Sequence, residues 1–221
     1  MPTAAAADDG DATDGALMAA YAAGNAAAFQ QLYVRHRAGL YRFVQRLLGP
    51  AMAAQADEVF QDTWLRVVQA RHDFIPRGAV DSAAVPMARF RTWLYTLAHH
   101  RAVDLLRKGG RETALPDADD DPGPAWQPDG TAWAGWPAAD TPGAADALFW
   151  RRAGKRLLDC LAELPPGQRA VFLLHHEDGI GVAEIGVALQ LGFETAKSRL
   201  RYAMTKLRLC MGAYLPMQDL S

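Results

Sequence analysis

Cysteine is scarce in this chain of 221 residues, with Cys160 and Cys210 the only two. Two cysteines cannot staple a small loop-rich scaffold, and their spacing matches no metal site; they are either oxidant sensors or, as their helical apolar surroundings favour, buried inert thiols. Long apolar runs are missing as well. No stretch approaches the roughly 18 residues that a membrane helix needs, and residues 1–15 lack the basic and apolar segments of a secretory signal. Strand signals are absent, with no sustained alternation and no Asn-Gly hairpin between β-rich runs. Basic charge is not in excess either. Lys and Arg total 23 against 25 Asp and Glu, a formal net charge of −2. That balance excludes a uniformly basic coat for nucleic acid, though not a local one. These absences imply a soluble, cytoplasmic protein of a reducing compartment, with no membrane insertion.

What is present is half hydrophobic and 22% charged, enough for a packed core and too apolar for wholesale disorder. Residues 1–14 hold five alanines and four aspartates, and read as a disordered tail. After Gly24 and Asn25, a break and an N-cap, Phe29, Leu32, Tyr33, Leu40, Phe43, Val44 and Leu47 recur at helical spacing until Gly49-Pro50. Further helices are predicted over 57–71 and 90–107, the last stopped by Gly109-Gly110. Composition then changes. Between Arg111 and Arg151 lie Glu112, seven aspartates and six of the 13 prolines, with no Lys or Arg. Such a segment cannot form a long helix. It also carries Trp126, Trp133 and Trp136, half the tryptophans. Helical patterning resumes at Leu148. The predicted fold class is all-α: a helical module over 15–111, a flexible acidic linker over 112–147 and a second module over 148–215.

Positive charge is concentrated. Residues 89–111 and 197–208 together hold 11 of the 23 basic side chains, with Asp104 the only acid among them. Each module can therefore present a cationic surface although the whole chain is near neutral. In the second module a short helix over 182–189, a turn over 190–193 and a longer helix over 194–209 read as a helix-turn-helix. Ala196, Leu200, Ala203 and Leu207 form one buried stripe on the longer helix, and Lys197, Ser198, Arg201, Tyr202 and Thr205 lie opposite. A recognition helix needs that division, because its exposed side chains enter the major groove. Gly186 lets the two helices approach closely.

These residues carry a resemblance. The run from Leu164 to Leu174 (LPPGQRAVFLL), followed by the helix-turn-helix with Thr195 to Leu200 (TAKSRL), resembles region four of bacterial RNA polymerase sigma factors, in particular the extracytoplasmic-function (ECF) group. Asp57 to Leu65 (DEVFQDTWL) resembles the region-two segment that grips the polymerase clamp. Phe90 to Tyr95 and Arg101 to Arg107 resemble the promoter-melting helix. The likeness covers both modules in the right order. It departs at Gln190 and Glu194, where the family often has glycine, and in a long segment from Phe74 to Arg89.

The resemblance implies a transcription initiation factor that binds core polymerase through its clamp and flap, recognises minus-ten and minus-35 promoter elements, and is held by an anti-sigma factor. Asp57, Gln61, Asp62 and Leu65 would face the clamp. Arg91, Arg101, Arg107 and Lys108 would clamp phosphates near the minus-ten element, with Asp104 pairing one of these arginines. Trp93 and Tyr95 either stack on unpaired bases, at about 1–3 kcal/mol per base, or pack in the core. Lys197, Ser198, Arg201 and Tyr202 would touch base edges or phosphates of the minus-35 element, and Thr195 and Arg199 the backbone. The acidic linker either tethers or imitates nucleic acid near the polymerase active centre. No enzyme signature competes: there is no phosphate loop, nucleophile elbow or zinc spacing. Neighbouring histidines at His99-His100 and His175-His176 point about 100° apart on a helix and share no ligand site. No cofactor is expected. The rival reading is a free-standing helix-turn-helix regulator that acts without polymerase.

Overall fold

The structure, a computed structural model, describes residues 6–72, 90–108 and 144–214, and within them it is helical, with no strand. The predicted linker over 112–147, apart from its last residues, and the long segment before the third predicted helix lie outside the described residues. The elements are α1 (Ala6–Ala22), α2 (Ala26–Leu48), α3 (Ala56–Gln69), α4 (Phe90–Lys108), α5 (Ala144–Glu163), α6 (Pro166–His176), α7 (Val182–Ala188) and α8 (Phe193–Met211), with short 3-10 turns at Pro50–Gln55 and Gly212–Tyr214. The helices read from periodicity recur within one or two residues at most ends.

The tail is a correction. From Ala6 onward it is helix, and α1 packs on α2 and α4. Asp14 is buried, ion-paired with Arg35 and 2.6 Å from Nε2 of His36. Alanine is the best helix former, which a reading based on buried bulk overlooks.

Local chemistry explains the breaks. Asn25 accepts from the amides of Ala27 at 3.0 Å and Ala28 at 3.4 Å, a cap worth about 1 kcal/mol. Gly49 closes α2 at φ +72°, a left-handed conformation that glycine adopts without steric cost.

In the first module α2, α3 and α4 meet around rings. Trp64 lies edge-on to Phe29 and Tyr33, with centroids 5.8 and 5.0 Å away, and Phe43 lies edge-on to Tyr95 at 5.0 Å. In the second module Leu173, Leu174, Ile185, Leu200 and Leu207 are buried instead. Cys160 of α5 and Cys210 of α8 form a disulfide with their Cα atoms 5.9 Å apart. That corrects the expectation of separate thiols: the partners stand 50 residues apart, and only the packing of α5 on α8 brings them together.

The buried core runs on through the contact between the modules. α2 packs on α5 and α6, and α4 on α7. Arg169, itself buried, donates from Nη1 to the Leu47 carbonyl at 2.9 Å and from Nη2 to those of Ala162 and Leu164 at 2.6 and 2.8 Å.

Candidate nucleic-acid and polymerase interface

α8 carries its predicted stripe. Ala196, Leu200, Ala203 and Leu207 are buried, joined by Met204 and Met211. Lys197 is exposed, and Ser198, Arg201 and Tyr202 are half-buried on the remaining surface, as are Thr195 and Arg199. Lys197 has a weak partner in Glu194, 3.8 Å away between two exposed side chains. The Arg201 guanidinium lies 5.2 Å from the centre of the Tyr202 ring, a cation–π contact that keeps both on one surface.

The turn before α8 is tight. A Cβ on Gly186 would stand 3.1 Å from the Leu191 carbonyl oxygen, so glycine there admits the turn. Gln190 adopts φ +56°, the only non-glycine residue of the described chain at positive φ. Helix-turn-helix geometry asks for a left-handed residue here, and glutamine adopts it at a cost of about 1 kcal/mol or more.

α4 holds a more divided set. Arg107 and Lys108 are exposed in its last turn, and Arg91 is half-buried with one nitrogen 3.5 Å from Asp178. Two expected DNA residues are placed differently. Tyr95 is 2% exposed and donates its hydroxyl to Asp178 at 2.6 Å, so it cannot reach DNA in this arrangement. Arg101 is held by Asp62 at 2.6 Å and Glu58 at 2.7 Å; its partners come from α3, not from Asp104 on its own helix. Trp93 packs against the core beside Phe90, centroids 6.0 Å apart, which is the packing alternative for that residue. Tyr95 escapes a sequence reading because its partner is 83 residues away.

Titratable groups, Tyr95 and Asp178 buried and His99 half-buried, cluster where α4 meets the second module. Burial, reinforced by the charges of His100, Arg199 and Arg107, lowers the His99 imidazole to about 3, and its Nδ1 is sealed from solvent without a hydrogen-bond partner. Burial raises the Asp178 carboxyl above its ordinary value. Burial and the neighbouring Asp178 also hold the Tyr95 phenol protonated.

On α3, Asp57 and Gln61 are exposed and Leu65 is 54% exposed. Asp57 accepts from the Tyr41 hydroxyl at 2.8 Å. Asp62 is less open than expected because Arg101 occupies it. Beside Leu65 an apolar cleft of about 440 Å³ opens between α2 and α3, walled by Phe29, Tyr33, Phe60, Trp64 and Val68. An exposed leucine at the lip of an aromatic cleft, flanked by carboxylates, is a surface suited to another protein. Among the described residues no cluster of His, Cys, Asp or Glu could hold a metal ion, and no helix is long and apolar enough to cross a membrane.

Known proteins resemble this arrangement along nearly the whole chain. Residues 32–112 match the family model for Sigma-70 region 2, and residues 154–207 that for Sigma-70, region 4. Over 190 residues the chain is 32% identical to the ECF RNA polymerase sigma factor SigL of Mycobacterium tuberculosis, covering 86% of this chain and 92% of that one. It is 30% identical to the ECF RNA polymerase sigma factor SigK of Mycobacterium sp. (strain KMS), covering 84% of this chain and 83% of SigK. The solved structure of CnrH in complex with the cytosolic domain of CnrY superposes with a TM-score of 0.57 at 25% identity, covering 91% of this chain and 98% of CnrH.

Proposed function

Because the chain belongs to the ECF group of bacterial RNA polymerase sigma factors, we propose that it lends promoter recognition to core polymerase through the surfaces described above. α8 reads the minus-35 element. Lys197, Ser198, Arg201 and Tyr202 face base edges and phosphates, and Thr195 and Arg199 the backbone, while the buried stripe behind them fixes the helix. A bidentate base contact there supplies about 1–3 kcal/mol of discrimination, and phosphate contacts supply salt-dependent affinity. α4 meets the minus-ten element through Arg91, Arg107 and Lys108; Arg101 supports that helix from behind by tying it to α3. Asp57, Gln61, Leu65 and the cleft receive the polymerase clamp, Leu65 giving apolar area and the acids pairing cations of the partner. The second module meets the flap. No bond is made or broken by the chain itself. It works in the cytoplasm, where polymerase and promoter are, and an anti-sigma protein is its regulator.

One observation carries the reading: two modules each bear a cationic helix, and one of them also exposes Leu65 beside an aromatic cleft. A free-standing DNA-binding regulator would account for α8 and leave that cleft without a role. The test is co-elution of the purified chain with sigma-free core polymerase. We expect a stable complex, weakened at least about tenfold by Leu65→Asp, the scale of a single interface anchor. Failure of the wild-type chain to bind core would leave a free-standing regulator as the function.

A further inference from the structure

The surface of α8 that carries Lys197, Ser198 and Arg201 begins with an acid. Glu194, Lys197, Ser198 and Arg201 stand at i, i+3, i+4 and i+7, which puts them on one side of the helix. The buried stripe of Ala196, Leu200, Ala203 and Leu207 takes the other side. The Glu194 side chain is 79% exposed, and among the described residues its carboxylate has a long contact to Lys197, 3.8 Å away. Its position is firmly set. The Ala196 amide donates to the Gly192 carbonyl at 3.0 Å, the first helical bond of α8, and the Leu191 amide donates to the Gly186 carbonyl at 2.8 Å. A Cβ on Gly186 would stand 3.9 Å from the Cα of Phe193, so the residue before Glu194 is seated on α7. Glu194 therefore rides on the same support as Lys197, one turn nearer the start of the helix that enters the groove, where such helices touch base edges.

A carboxylate in that place has a narrow choice of partners, because it offers acceptors alone. In the major groove guanine presents two acceptors, N7 and O6, and thymine presents O4. Adenine has a donor at N6 but an acceptor at N7 beside it. Cytosine alone shows a donor, its N4 amino group, with no acceptor on the same base. Guanine and thymine thus repel the acid and cytosine attracts it. Lys197 has the opposite preference, for O6 and N7 of guanine. Three residues of helix rise about 4.5 Å, close to the ~3.4 Å between base pairs, so the two side chains meet neighbouring pairs.

We propose that Glu194 is a specificity-determining residue of α8, selecting cytosine in the minus-35 element at a base pair next to the one that Lys197 faces. This role rests on the minus-35 reading of α8. It gives the departure from glycine at this position a purpose: glycine admits any base, whereas the acid rejects the bases that offer it only acceptors. Lys197 beside it offsets the repulsion from phosphates that an acid on this surface would otherwise bring.

The test is transcription by sigma-free core polymerase and the full chain from a promoter library with a randomised upstream element, with the productive templates sequenced. Wild type should favour cytosine at one position by about tenfold, the scale of a single base contact. Glu194→Gly should level that position and leave the rest of the upstream motif in place, which also checks that α8 still folds. Glu194→Gln, able to donate as well as accept, should move the preference at the same position to adenine. Lys197→Ala should alter the neighbouring position instead. An upstream motif that is the same in wild type and both Glu194 variants, with every template used equally more by the variants, would reduce the acid to phosphate repulsion and overturn the proposal alone. Wild-type transcripts with no upstream motif would overturn the minus-35 reading of α8 together with it, so the two failures are told apart by the wild-type motif.

Discussion

The first module is packed with rings and the second with aliphatic side chains and a disulfide, and the two also differ in what their cations do. In the first, Arg35 serves Asp14 and Arg101 serves Glu58 and Asp62, so much of its positive charge is used in tying helices together. In the second, Arg169 likewise ties helix ends together, but on α8 Lys197 has, among the described residues, a long contact to Glu194, and Arg201 lies along Tyr202. A basic helix therefore signals a nucleic-acid surface only after the fold's own carboxylates have been counted. α8 passes that test more fully than α4, where the ion pair of Arg101 and the burial of Tyr95 remove two of the six side chains expected at the minus-ten element.

The sharpest way to break the symmetry between the modules is to open the disulfide. It closes a span of 50 residues, and the loop-entropy relation gives about 4 kcal/mol for that length. Reduction, or Cys160→Ser, should lower the urea stability of the second module by that order, while the near-ultraviolet signal of the ring-packed first module unfolds at its former midpoint. A simultaneous collapse of both signals would mean that the core shared across the modules couples them into one unit.

Exchanging stability for affinity separates the two basic helices. Arg101→Ala leaves Asp62 and Glu58 unpaired, and is expected to cost about 1–2 kcal/mol of stability. Lys197→Ala should leave the unfolding midpoint in place and weaken minus-35 binding by about 1–3 kcal/mol. Equal losses of stability from both would contradict the division.

Acid should act on the first module through His99. Its folded value, about 3, lies below the ordinary 6.5, so the unfolded chain takes up the proton first and stability falls as pH drops below about 6.5. At pH 5 the loss is about 2 kcal/mol, and His99→Leu should abolish that slope. Asp178 works in the other direction: raised above 3.8, it costs stability as pH rises through its folded value and nothing in stronger acid. His176, lowered to about 4 by burial and His175, is more exposed and adds a smaller slope in the second module.

The smallest effect belongs to the turn. Gln190→Gly relieves the positive φ and should stabilise the second module by about 1 kcal/mol in thermal unfolding.

Much of this was legible without coordinates. The stripe of α8, the Asn25 cap, the close approach at Gly186 and the starts of α4 and α7 all follow from spacing and from residues with one strong local preference. The misreadings share a cause. Asp14 finds Arg35 and His36, Tyr95 finds Asp178, Arg101 finds Glu58 and Asp62, and Cys160 finds Cys210; each pairing joins different elements, and periodicity reports one helix at a time. The part of α1 before residue 15 escapes a sequence reading for a related reason, since an alanine-rich segment has helix propensity but little bulk from which burial can be inferred. The candidate site was legible in the same proportion: α8 from its own pattern, α4 only after its partners were known.

Whether this chain confers promoter recognition on polymerase is decided by mapping RNA 5′ ends made by sigma-free core polymerase on bacterial genomic DNA with and without the chain. New, discrete start sites preceded by two shared motifs are expected, with use of the upstream motif reduced by Lys197→Ala or Arg201→Ala. A start-site map identical to that of core alone, from a chain that nevertheless binds DNA, would contradict it.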